Sequence, residues 1–193
     1  MKRLLSRARQ CLLGFRDATD GIITIEMLIT LPFLFWIITT TYELYNVYHF
    51  KSERVKATYT VADMLSREML PVNAVYIDTA KAVFDSQARS EAENQVRMSV
   101  IIYEGATETY AVRWSEVRGA GPMAPLTTAD VATAHDELPV LDGGEELIIV
   151  ESNAQYAPVL QYPGLPHDYN ITTKLFTGIR FASQLCWEGS FCG

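Results

Sequence analysis

Residues 27–42 carry no charge, and Glu26 and Glu43 bracket them. This run restricts the fold more than any other feature of the chain. From Ile22 to Tyr42 there are 21 residues. As a helix at ~1.5 Å per residue they span roughly 31 Å, which matches a hydrocarbon core of ~30 Å. The side chains are mainly those of Ile, Leu, Phe, Trp, Met and Thr. The threonines (Thr24, Thr30, Thr39, Thr40, Thr41) are expected to return their hydroxyls to helix carbonyls. Glu26 stands five positions after Gly21. A carboxylate at the centre of a membrane helix costs on the order of 2.5–3.5 kcal/mol. A snorkelling side chain near the end of the span is one explanation of Glu26. A residue that registers this helix against another is the second.

The charges on either side set an expected orientation. Lys2, Arg3, Arg7, Arg9 and Arg16 against Asp17 and Asp20 give the first 21 residues +3, which leaves −10 of the net −7 for the rest. The positive-inside rule then places the N-terminus in the cytoplasm and the long C-terminal portion across the membrane. Lys51, Arg54 and Lys56 weaken that bias, and Glu43 and Glu53 lie among them. A cleavable secretory signal has an apolar core of about 7–15 residues and a small-residue cleavage site. This core is longer and Thr39-Thr40-Thr41 is a poor site, so retention as an anchor is expected. Pro32 removes a backbone hydrogen bond and predicts a kink in the span, which membrane helices tolerate.

Beyond the span the helical period continues. Tyr48, Val55, Ala62 and Met69 recur every seven residues, widened by Leu44, Tyr59 and Leu65, with charges including Arg54 on other faces. The helix is expected to run to about Met69, ahead of Pro71. A second helix is predicted over Val72 to Ala88, with Val75, Thr79, Ala82 and Val83 on one side and Ile77 and Phe84 near it. Val96 to Tyr103 and Glu108 to Val117 read as a hairpin, with Tyr110, Val112 and Trp114 sharing a face. A loop follows to Leu126, then a short helix from Thr128 to His135 capped by Thr127 or Thr128. Asp142-Gly143-Gly144 is a turn, Glu146 to Ala154 a strand, Pro158 to Pro166 a loop, and Asn170 to Ala182 a last strand or hairpin arm. The expected class is α+β: a long N-terminal transmembrane helix continuing into a small domain with an antiparallel sheet of about four strands. The divisions are a basic leader over 1–21, the span over 22–42, its extension over 43–70 and an α+β domain over 71–193.

Catalytic and ligand motifs are lacking in the sequence. His49, His135 and His167 are isolated, and there is no CxxC, P-loop, GxSxG or phosphate-binding glycine loop. Asp168 beside His167 reads as loop surface rather than a metal ligand. No cofactor is expected, and the acidic soluble part disfavours nucleic acid. Cys11 lies in the leader. Cys186 and Cys192 bracket Trp187-Glu188-Gly189-Ser190-Phe191 and are expected to close a small loop in an oxidising compartment. Trp187 and Phe191 are left open between a partner contact and packing on the domain.

Asp20-Gly21-Ile22-Ile23-Thr24-Ile25-Glu26-Met27-Leu28-Ile29-Thr30-Leu31-Pro32-Phe33 resembles a type IV pilin-like N-terminus. More narrowly it resembles the TadE/TadG-like proteins of the tight-adherence (Flp-type) pilus system. The motif covers about 14 residues, and the plan of basic leader, one span and modest outer domain extends the likeness loosely over the chain. The resemblance implies cleavage by a prepilin peptidase between Gly21 and Ile22. Glu26 would then pair with the new amine of a neighbouring subunit and set register in assembly, which lowers the cost of each charge in lipid. Implied partners are other pilin-like subunits through the N-terminal helix, the peptidase, the inner membrane and the pilus assembly platform. The implied role is non-catalytic: assembly of the pilus and so surface adhesion. Two departures are Met27, where major Flp pilins carry Tyr, and the length of the mature chain. Both argue for a minor subunit. The competing expectation is an unprocessed single-span anchor of a periplasmic binding or envelope protein. A membrane-tethered enzyme with a site over Thr127–Pro166 is a third, supported only by loop length.

Overall fold

The computed structural model describes residues 22–89, 93–161 and 168–190. Its elements are α1 (Ile22–Ser66), α2 (Ala74–Ala88), β1 (Asn94–Glu104), β2 (Thr109–Arg118), α3 (Thr128–Val131), β3 (Glu146–Tyr156) and β4 (Tyr169–Gly178). The class is α+β, a long N-terminal helix followed by a small domain with a four-stranded antiparallel sheet. The chain falls into two compact units that meet after Leu44.

In the second unit the strand order is β2-β1-β3-β4, antiparallel throughout. Because β3 pairs with the far edge of β1, the chain between β2 and β3 must cross the sheet, and it does so over one face. That face buries Ile101, Tyr110, Leu147 and Ile149 under Val131 and Leu138 of the crossover. The opposite face carries Val96, Met98, Val100, Trp114, Ile148 and Val150, and packs against both helices. Alternation along each strand divides the two sets.

The helices bury the expected faces in part: Ala62 and Leu65 of the α1 stripe are buried, as are Ile77 and Phe84 near the α2 stripe, and the rest differs. On α1 the buried residues are Arg54, Ala57, Thr58, Val61, Ala62, Leu65 and Ser66, whereas Tyr48, Tyr59 and Met69 are exposed. Small residues win this face because they let the helix approach the sheet. There Thr58 Oγ1 lies 2.9 Å from Thr173 Oγ1 of β4. On α2 the buried stripe is Ile77, Ala80, Phe84 and Ala88, and Val75 is exposed. The spacing of 3 and 4 holds, but Phe84 and Ile77 define its centre. Burying a side chain such as Phe84 contributes about 1.5–3 kcal/mol.

Element ends also differ. Helix α1 stops at Ser66, earlier than Met69, in two tight turns (Arg67 N to Met64 O, Glu68 N to Leu65 O). The Glu68 carboxylate then accepts the Met69 and Leu70 amides, both at 3.1 Å, and turns the chain. Asn73 caps α2, its Oδ1 accepting from Tyr76 N at 3.0 Å, the usual role of Asn at that position. Helix α3 is only four residues long, and Thr127 is its cap. Strand β4 ends at Gly178, because the Arg180 amide turns to Ser66 O at 2.9 Å.

One face assignment on β2 is overturned. Val100 pairs with Trp114 but Ile101 pairs with Val112, so Arg113 is an extra, bulged residue. A bulge re-aims every side chain beyond it. Tyr110 and Val112 therefore face the crossover, and Trp114 faces the helices.

Candidate functional site

In its described residues the first unit is an apolar helix, and no described residue of that unit covers it. From Ile23 to Ile38 the large hydrophobic side chains lie open, with Ile23 at 72 %, Leu28 at 74 % and Phe33 at 62 % exposure. Such a helix is apolar all round, which suits a membrane span. By length and composition α1 is able to cross a membrane. Three hydroxyls close on the helix as expected: Thr30 Oγ1 donates to Glu26 O, Thr39 Oγ1 to Trp36 O and Thr41 Oγ1 to Ile37 O. The helix runs through Pro32 without interruption.

Glu26 is the one charged residue on this surface between Ile23 and Tyr42, and it is exposed. Gly21, one half of the expected processing site, lies outside the described residues. Ile22 opens α1 through its backbone, and its side chain also lies outside them. The structure therefore carries Glu26 and Pro32 on one helix and is silent on the Gly21–Ile22 bond.

The C-terminal segment is anchored to the domain. Val72 N donates to Cys186 O at 2.7 Å and Glu188 N to Val72 O at 2.8 Å. Trp187 packs on Trp114 with ring centroids 5.7 Å apart and joins the helix-side core. The Trp114 indole donates to Leu185 O at 2.8 Å. Trp187 is therefore folded onto the domain. Cys186 takes part in a disulfide. Cys11, Cys192 and Phe191 lie outside the described residues, so the Cys186–Cys192 pairing remains an expectation of the sequence.

The isolated histidines have structural neighbours. His49 stacks on Tyr45 and approaches Glu53 at 3.7 Å. His135 packs against Tyr103 and Tyr110. His167 lies outside the described residues, and Asp168 Oδ2 accepts from Gln155 Nε2 at 2.8 Å. Among the described residues no group of three or more His, Cys, Asp or Glu is placed to hold a metal.

Two buried ionic groups escape the sequence patterns. Glu146 is 6 % exposed. It accepts from the bulged Arg113 at 3.1 Å and from the Leu185 amide at 2.9 Å. Arg54 is fully buried. Its Cζ sits 3.2 Å from the centroid of the Phe50 ring, and Nη1 donates to Phe50 O at 3.1 Å. Its Nε and Nη2 have no partner. Burial pushes this guanidinium down to about 10, with Glu53 acting in the other direction. The one sequence signal for Arg54 is its spacing of four from Phe50 and Thr58. The carboxamides of Asn153, Gln155 and Asn170 are likewise unmarked by any motif. Their signal is the spacing of two between Asn153 and Gln155, which puts both on one face of a strand.

Comparison with protein-family models, with curated proteins and with solved structures finds no match to this chain.

Proposed function

We propose that this protein is a minor pilin-like subunit of a tight-adherence (Flp-type) pilus, acting in pilus assembly and adhesion without catalysis. The observation that carries the reading is the uncovered apolar helix with its one carboxylate at Glu26, ahead of a self-contained α+β domain. In this reading the helix crosses the bacterial inner membrane with the N-terminus cytoplasmic and the domain periplasmic. Cleavage after Gly21 frees the amine of Ile22. Glu26 pairs with the amine of a neighbouring subunit, so that two charges which are costly alone in lipid neutralise one another. Pro32 eases the exit of the helix from the bilayer. The domain supplies contacts outside the membrane.

The test is a comparison of Glu26→Ala with the parent chain in cells that make the pilus system. The reading expects normal membrane insertion of Glu26→Ala, normal cleavage and loss of copurification with other pilin-like subunits. Unchanged copurification overturns the register role.

A further inference from the structure

One cavity of the domain is lined by polar groups: Gln155 Nε2 donates to Asp168 Oδ2 at 2.8 Å, and the Asn153 and Asn170 carboxamides remain for a ligand. The cavity encloses about 450 Å³. It opens where β1 begins, β3 ends and β4 begins, beside the loop that leaves β2. Asn153 and Gln155 alternate with Ala154 on β3, and Asn170 of β4 pairs with Gln155. Glu93 and Asp168 add two carboxylates to the lining. Asn153 is 7 % exposed, and its carboxamide makes no hydrogen bond to a described residue. The buried polar atoms without partners do not include this carboxamide, so its atoms reach the cavity.

The opposite wall is held in place. Gln95 Nε2 donates to Met123 O and Gln95 Oε1 accepts from Met123 N, both at 2.8 Å. Gly121 fits against that amide with a φ of +158°, and a Cβ there would collide with Gln95 Oε1. The site is thus formed before any ligand arrives.

Its chemistry selects a class of ligand. Among the described residues no Lys, Arg or His lines the cavity, so these residues offer an anion no counter-charge. Carboxamides both donate and accept, and carboxylates accept. That set matches vicinal hydroxyls, each of which also donates and accepts. Pro122 and Ala154 offer small apolar surfaces for the C–H face of a ring. The volume lies within the roughly 300–1,000 Å³ of small-molecule sites.

We propose that this cavity binds a sugar residue of a glycan, a neutral polyhydroxylated ligand, through Asn153, Gln155, Asn170 and the two carboxylates. The proposal holds whether or not Gly21 is processed and whether or not the chain enters a filament.

The test uses the full chain, ¹⁵N-labelled, in micelles of a detergent without a sugar headgroup. Glucose, galactose, mannose and N-acetylglucosamine are titrated one at a time. The expected result is saturable movement of the Asn153, Gln155 and Asn170 side-chain amide signals by at least one of them, in the millimolar range. Asn153→Ala and Asn170→Ala each weaken that binding roughly tenfold, the equivalent of one hydrogen bond. Asn170 is exposed, so its variant should keep the parent melting temperature and remain informative even if Asn153→Ala is less stable. The proposal is overturned if none of the four sugars moves these signals, or if both variants bind as the parent does. It is also overturned if calcium chloride moves them and the sugars do not, which would make this a cation site.

Discussion

Replacing Arg54 with Met tests whether the core of the domain tolerates its buried cation at a net cost. Its lowering to about 10 corresponds to roughly 3 kcal/mol against the charged form. The contact of the guanidinium with the Phe50 ring opposes it by about 1–2 kcal/mol. Methionine keeps most of the length of the side chain and removes the two nitrogens without partners. The expected result is a gain of about 1–2 kcal/mol, in line with other buried charges exchanged for apolar residues. In a chain of this size the gain raises the melting temperature by roughly 2–8 °C. Urea and thermal unfolding of the full chain in micelles, followed by tryptophan fluorescence, read it out, since Trp114 and Trp187 both sit in the domain. The sign of the pH dependence gives a second check. A cation whose folded pKa is lowered weakens the fold at every pH below that value. The penalty fades as pH rises above about 10 toward the ordinary arginine value. The advantage of Arg54→Met is therefore full at neutral pH and shrinks above pH 10. A Met variant less stable than the parent by about 1 kcal/mol or more refutes the reasoning. It would mean that the contact with Phe50 outweighs desolvation.

Glu146→Ala removes the acceptor shared by Arg113 and the Leu185 amide, and an expected loss of about 3–5 kcal/mol should be seen in the same urea titration. Phe84→Ala empties the centre of the α2 stripe and is expected to cost about 3–5 kcal/mol. Asp130 is held below its usual range, first by the Thr127 hydroxyl and then by the Thr127 amide. Its contribution to the α3 cap is present above the unfolded carboxylate range and is lost as pH falls through the lowered folded value. The Thr127 amide resonance, followed downward from neutral pH, should move at the acid end of that range, and Asp130→Asn should abolish the movement.

The sequence was most legible where period and punctuation agree. The apolar run and the β-branched alternation of β1 and β3 mark their elements, as do the Gly143-Gly144 turn and the threonine before α3. Burial was less legible, for three physical reasons. The stripe on α1 is set by Ala57, Thr58 and Val61, whose value is that they are small, so heptad counting favoured the exposed Tyr48 and Tyr59. The bulge at Arg113 shifts the faces of β2 by one residue, and no local composition marks it. The buried Glu146 carboxylate depends on partners far along the chain, Arg113 and Leu185, which a reading of local pattern does not bring together. In the apolar segment, Glu26 and Pro32 were legible because a charge and a proline stand out in any such run. The bond between Gly21 and Ile22 rests on the resemblance of its motif alone.

The central claim is processing, and the N-terminus of the mature chain tests it most directly. The measurement is the intact mass and N-terminal sequence of the protein from native membranes, with and without the cognate prepilin peptidase. The account predicts a chain beginning at Ile22 when the peptidase is present and at Met1 when it is absent. A chain that begins at Met1 in both cases contradicts it, leaves Glu26 without its proposed amine, and favours an unprocessed membrane anchor.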